Sequence, residues 1–164
     1  MKKTVAVPFG YSADNEVFQL RNVSEKIPVI ISITGRQEEQ EPIELLTIGK
    51  YYRSADGVPT LEYEESGLSG LQGCLTSITF EGPQVTLSRK HGAESCMVFS
   101  KRQTSHSHYR VDGLELSIFP TVLEYELMDE AGWLELVYQI EMSGHHATNH
   151  LTLEYRSRES AHVQ

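Results

Sequence analysis

The residues best placed to do chemistry are polar ones that fall in phase with apolar neighbours. In Leu61-Glu62-Tyr63-Glu64-Glu65, the residues Leu61, Tyr63 and Glu65 share one face of an extended chain; in Val85-Thr86-Leu87-Ser88-Arg89, so do Val85, Leu87 and Arg89, because side chains alternate along a strand. If those faces point inward, a carboxylate and a guanidinium enter the interior, where isolated charges cost too much to persist. Each then needs the other, a further polar partner or a charged ligand. Arg89, helped by the hydroxyls of Tyr63, Tyr109 or Tyr138, could hold a ligand carboxylate or phosphate through forked hydrogen bonds. The competing reading is a purely structural ion pair.

Histidine offers a second chemistry. His106 and His108 share a face if their segment is a strand, and such a pair can chelate a divalent metal when a third ligand arrives from elsewhere; a lone interior histidine could even ligate haem. His145, His146 and His150 cluster near a turn. Both groups sit among Ser, Thr and Asn in apparent turns, where solvated histidines are common, so no metal site and no cofactor is expected. Other motifs fail on geometry or context. Glu64 and Glu65 point to opposite faces and cannot flank one glycosidic bond. Gly67, Gly70 and Gly73 lack the Gly-Lys-Ser/Thr sequence and helix of a phosphate cradle, and no serine lies in a nucleophile-elbow context. No catalytic residue is expected.

These residues need strands to position them, and period-2 alternation runs from about Ile27 to the end. It is clearest where Leu134, Leu136, Tyr138, Ile140 and Met142 alternate with Glu135, Val137, Gln139, Glu141 and Ser143. The same test, or β-branched and aromatic content, predicts strands over Val29–Thr34, Ile43–Arg53, Leu61–Ser66, Leu75–Glu81, Val85–Lys90, Cys96–Lys101, His108–Val111, Leu114–Ile118, Leu123–Leu127 and Leu151–Tyr155, with Pro120 interrupting the run from Leu114 to Met128. Turn signals separate them at Asp56-Gly57, Glu81-Gly82-Pro83, His91-Gly92, Asp112-Gly113, Ala131-Gly132 and Ser143-Gly144. Glu38 to Glu41 reads as a solvated loop. Strands joined by tight turns make a meander, and a meander of this size avoids exposed edges by closing on itself. The expected fold is all-β, a single antiparallel up-and-down barrel of about eight to ten strands over residues 27–157. Pro120 marks a bulge or corner within its strand. Residues 1–26 read as an N-terminal arm, in which Val5, Val7 and Phe9 alternate, and 158–164 as a tail.

Composition bounds the partners. The chain of 164 residues suits one domain. Its 23 acidic against 14 basic residues give a net charge of −9, which repels nucleic-acid backbones and anionic membranes. The start lacks the apolar length of an export signal because Pro8 interrupts it, and the expected location is the cytoplasm. There Cys74 and Cys96, far apart in sequence, read as free thiols.

The runs Leu46-Thr47-Ile48-Gly49-Lys50-Tyr51, Tyr63-Glu64-Glu65-Ser66-Gly67-Leu68, Val85-Thr86-Leu87-Ser88-Arg89 and Met97-Val98-Phe99, followed by Tyr109 and then Asp112-Gly113, resemble the YwiB-like family of uncharacterised bacterial proteins, over about Pro28 to Tyr155. His106-Ser107-His108 departs from the pattern. The resemblance implies a calycin-like barrel, akin to lipocalins and to fatty-acid-binding proteins with their interior arginines, and it carries over no activity. The expected function is therefore non-enzymatic binding of a small, partly apolar ligand, with an anionic group as one option, inside the barrel, by a monomer or homodimer. The alternatives are a filled barrel acting as a protein-interaction scaffold and, more weakly, an enzyme working at the barrel mouth.

Overall fold

A computed structural model of the chain describes residues 3–5, 21–66, 72–92, 94–109 and 114–159. Their twelve elements are all strands. Two short ones, β1 (Lys3–Val5) and β2 (Arg21–Val23), pair with each other; Val7 and Phe9 lie outside the described residues. After β2 the chain is tied to the main sheet, with Ser24 N–H donating to the Arg53 carbonyl at 3.1 Å and Arg53 N–H to Ser24 Oγ at 2.6 Å.

The main sheet holds β3 (Ile27–Gln37), β4 (Ile43–Arg53), β5 (Pro59–Glu64), β6 (Leu75–Glu81), β7 (Gln84–Lys90), β8 (Ser95–Ser100), β9 (Ser105–Tyr109), β10 (Leu114–Leu127), β11 (Ala131–Met142) and β12 (His145–Ser157). Each pairs antiparallel with its neighbour in sequence, save β8 with β9, and β12 returns to pair with β3 from Asn149–Gln37 to Ser157–Val29. That first-to-last pairing makes the meander a barrel. The remaining seam, between β8 and β9, is bridged at Ser100–Gln103 and by the Ser105 hydroxyl on the Val98 carbonyl. Ten antiparallel strands thus enclose one core in a nearly closed barrel.

The alternating residues face that core: Val29, Ile31, Leu61, Ile78, Val85, Phe99, Leu134 and Leu153 are all buried. The bulge expected at Pro120 is present, since the register of β10 on β11 shifts between Pro120 and Val122. At Ser143-Gly144, both residues have positive φ (51° and 81°) between the paired Met142 and His145, as a tight two-residue hairpin turn demands.

Three expectations differ. Ala131-Gly132 is not a turn; the chain reverses just before it, and Gly132 lies within β11 beneath the Tyr155 ring, where an added Cβ would stand 2.4 Å from Cε1. The strand expected at His108–Val111 runs instead over Ser105–Tyr109, because those residues pair with Ile118 to Leu114; residues 110–113 lie outside the description. The last strand starts at His145, so His145, His146 and His150 belong to a ladder. Cys74 is buried, Cys96 exposed, and neither forms a disulfide. No helix of the described residues is long and apolar enough to cross a membrane.

The two ends of the barrel are unlike. Tyr51 stacks on Tyr155 with ring centroids 5.1 Å apart, and Phe80 meets Tyr125 at 5.0 Å. These four come from the late part of β4, β6 and β12 and from β10 beyond its bulge, which all reach the same end. Two hydroxyls are anchored on backbone, Tyr155 on the Met128 carbonyl at 2.6 Å and Tyr125 on that of Gly82 at 2.8 Å. Aromatic packing fills this end, and the cavity lies at the other.

Candidate functional site

At the opposite end, the late part of β3, β5 and β7 meets the early part of β4, β6, β8 and β12. Between them lies a cavity of about 320 Å³ with an apolar wall of Ile33, Leu45, Ile78, Leu87, Leu151 and Leu153. The volume is near the lower end of what small-molecule sites enclose. Its polar lining includes Tyr63, Glu65, Arg89, Tyr138 and Asn149, with Arg36, Gln40 and Glu41 at the rim. The loop from Glu38 to Glu41 therefore borders the opening, although its side chains are solvated as expected.

Strand register explains the polar group. Pairing places Gly49 beside Tyr63, Tyr63 beside Thr76, Thr76 beside Arg89 and Arg89 beside Ser95, in one row across β4 to β8. Glu65 follows Tyr63 on the same face. It lies just past the end of β5, yet its N–H donates to the Cys74 carbonyl at 2.8 Å and its own carbonyl accepts from Gly73 N–H at 3.4 Å, so the ladder still holds it. Gly73 supplies the positive φ of 89° that the returning chain needs.

Glu65 is 5% exposed. Its Oε1 accepts a hydrogen bond from Thr76 Oγ1 at 2.7 Å and lies 3.5 Å from Arg89 Nε. The Tyr63 hydroxyl also bonds this carboxylate. Glu65 is therefore a buried acceptor with three donors, the arrangement that makes an interior carboxylate tolerable. Arg89 meets it side-on through Nε rather than through the two forked terminal nitrogens. Tyr138 lines the cavity and packs edge-on against Phe99 at 5.0 Å. Tyr109 is paired opposite Leu114 in β9, and its side chain lies outside the description.

Thr76 and Ser95 were not among the residues picked from sequence. Thr76 is fully buried, and the available signal was its phase with Ile78 and Phe80. Ser95 is in phase with Met97 and Phe99, and its buried hydroxyl has no hydrogen-bond partner among the described residues. His106 points away from the core, opposite in phase to the buried Ser107, with Nδ1 3.4 Å from Glu115 Oε1 and 3.2 Å from Ser117 Oγ. The side chain of His108 lies outside the description. Among the described residues no three His, Cys, Asp or Glu side chains converge as metal ligands. His150 meets Glu135 at 2.9 Å on the outer side of β11 and β12.

Several tyrosines resist ionisation. Burial holds the Tyr63 hydroxyl well above its ordinary value of 10.0, the Glu65 charge pushes it further up, and Arg89 pulls it back only in part. Burial, then the neighbouring Tyr51, raises Tyr155; Tyr51 is raised by its own burial. Tyr52 is pushed up to about 12 by burial and then by Glu62, whose Oε2 it meets at 3.1 Å. The folded chain keeps protons that the unfolded chain releases above pH 10, so this stability is complete below that pH and is lost as pH rises beyond it. Circular dichroism against pH is expected to show destabilisation that begins above about pH 10. An unfolding free energy unchanged over the next two pH units would contradict the burial of these hydroxyls.

A family model described as Domain of unknown function (DUF1934) matches residues 29–153. The crystal structure of ywiB protein from Bacillus subtilis is similar with a TM-score of 0.74 and 20% sequence identity, over 82% of this chain and 94% of that one. At that identity the likeness is one of fold. No curated protein matches the chain.

Proposed function

We propose that this chain, which belongs to the DUF1934 family, is a cytoplasmic binding protein that takes a small, partly apolar molecule into the open end of its barrel. The observation that supports this reading best is the cavity itself: aliphatic walls that lead to a buried Arg89–Glu65 pair whose forked donor face is not the one spent on the pair. A barrel built only for its own stability is more readily filled, as its aromatic end is. Ligand sites characteristically join apolar walls to a few placed polar groups. In this reading the apolar wall supplies affinity and Arg89 orients the guest, with Tyr63, Tyr138 and, as a further candidate from sequence, Tyr109 adding hydroxyls.

Native mass spectrometry of the purified chain, followed by a thermal-shift screen of metabolites, tests the proposal. The wild type is expected to retain or select a small molecule that raises its melting temperature, and Arg89→Ala is expected to lose that rise while staying folded. An equal rise in the variant would remove Arg89 from the site.

A second reading has one observation in its favour. Ile43, Leu46 and Ile48 on β4 are 64%, 73% and 60% exposed, and among the described strands β5 pairs with β4 only from Gly49 onward. An exposed apolar edge of this kind suits pairing with a second copy of the chain. A stable dimer by light scattering, with no small molecule retained in the native spectra, would decide for it.

A further inference from the structure

We infer that the head group accepted beside Arg89 is an uncharged hydrogen-bond acceptor, such as an amide or ketone carbonyl, rather than an anion. The inference rests on the ligand-binding reading above and narrows its chemistry. Arg89 considered alone invites a carboxylate or phosphate, but it is not alone. Glu65, 3.5 Å away and almost wholly buried, already supplies the opposite charge. The rim adds Arg36 and Glu41, one charge of each sign, and His150 is engaged by Glu135. Among the described residues, the charged side chains around the cavity therefore balance without a guest.

An anion docked on Arg89 would stand beside the Glu65 carboxylate in a site walled by aliphatic side chains, and two like charges sharing such a site strongly disfavour each other. A dianionic phosphate would fare worse than a carboxylate. What the row offers instead is hydrogen-bond donors. Glu65 uses Thr76, Tyr63 and Arg89 Nε. The contact with Glu65 does not use the terminal guanidinium nitrogens. Asn149, whose amide carries two N–H donors, lines the same cavity. A carbonyl oxygen brings the lone pairs that spare donors need and adds no net charge, while an attached alkyl chain covers the wall of Ile33, Leu45, Leu151 and Leu153.

The test is isothermal titration calorimetry of the full chain at neutral pH with two probes of equal length, octanamide and octanoate. Octanamide is expected to bind about tenfold or more tightly than octanoate. Glu65→Gln removes the competing charge yet leaves an acceptor for Thr76, and is expected to reverse the order in favour of octanoate. Octanoate binding the wild type as well as octanamide would overturn the inference and leave the ligand-binding reading standing. Failure of both probes to bind would overturn that reading and the inference with it. The wild-type comparison decides the matter even if the variant folds poorly.

Discussion

Replacing Glu65 by alanine is expected to lower the free energy of unfolding by about 3 to 5 kcal/mol, the usual cost of removing one partner of a buried pair. Three donors lose their acceptor at once: Thr76 Oγ1, the Tyr63 hydroxyl and Arg89 Nε. Thr76 is fully enclosed and Tyr63 is 6% exposed, so water cannot easily replace the carboxylate for them. The guanidinium is also left without its counter-charge at 16% exposure. Removing the other partner is a different matter. Arg89→Ala leaves Glu65 with two hydroxyl donors and opens its surroundings toward the cavity, so a smaller loss of about 1.5 to 3 kcal/mol is expected. Urea denaturation of both variants measures the asymmetry. Equal losses would mean that Arg89 is held for stability, as in a structural ion pair. A small loss for Glu65→Ala would mean that the carboxylate is not the centre of the network at all. The first loss is large against the 5 to 15 kcal/mol or so that a domain usually has, so the Glu65 variant is also expected to express poorly.

The asymmetry also shows how much of this site could be read from residue order. Alternation identified Leu61, Tyr63 and Glu65, and Val85, Leu87 and Arg89, as faces in phase, and the structure brings Glu65 and Arg89 into contact. Alternation says nothing about which strand lies between two others. The expected meander already sets β6 between β5 and β7, but alternation did not single out Thr76, which β6 contributes at 2.7 Å from Glu65. Small hydroxyl residues carry no phase signal of their own. Thr76 and Ser95 resemble the outward Ser77 and Ser88 in type and differ only in the register that turns them inward. The barrel itself was legible because apolar alternation and turn residues agree along the chain, and because Pro120 can sit in a ladder only where the ladder breaks. Which end would close was not legible. It depends on Tyr51 meeting Tyr155 and Phe80 meeting Tyr125, contacts between residues far apart in sequence. Gly132 misled for a related reason. A glycine beside a chain reversal looks like a turn residue, but here it is required because an aromatic ring from the next strand lies on it.

Gly49 has the same cause with a larger consequence, and Gly49→Ala is expected to destabilise the chain by about 3 kcal/mol, the upper part of the range for overpacking a core. The position does not need unusual backbone freedom, since its φ is not among the positive ones. What it lacks is room. A Cβ there would lie 2.4 Å from the carbonyl oxygen of Glu62, 2.5 Å from Ile31 Cδ1 and 3.2 Å from Tyr63 Cβ. Ile31 is wholly buried and has little space to turn aside. The Glu62 carbonyl belongs to the β4–β5 ladder and can move only if the strands part. Gly49–Tyr63 is the last pair of that ladder before β4 runs on along the cavity wall. The methyl group would therefore act where the two strands diverge and would push on Tyr63, which holds Glu65. Gly35→Ala is the matched comparison. Gly35 also lines the cavity and also lacks a positive φ, but nothing lies within 4 Å of its Cβ position. Its replacement is expected to change stability by less than about 0.5 kcal/mol or to raise it slightly, through a less flexible unfolded chain. Denaturation midpoints that fall together for the two variants would show that β4 and β5 are not in close contact at Gly49. A fall confined to Gly49→Ala, with ligand binding weakened alongside stability, would tie the place where the strands part to the geometry of the site.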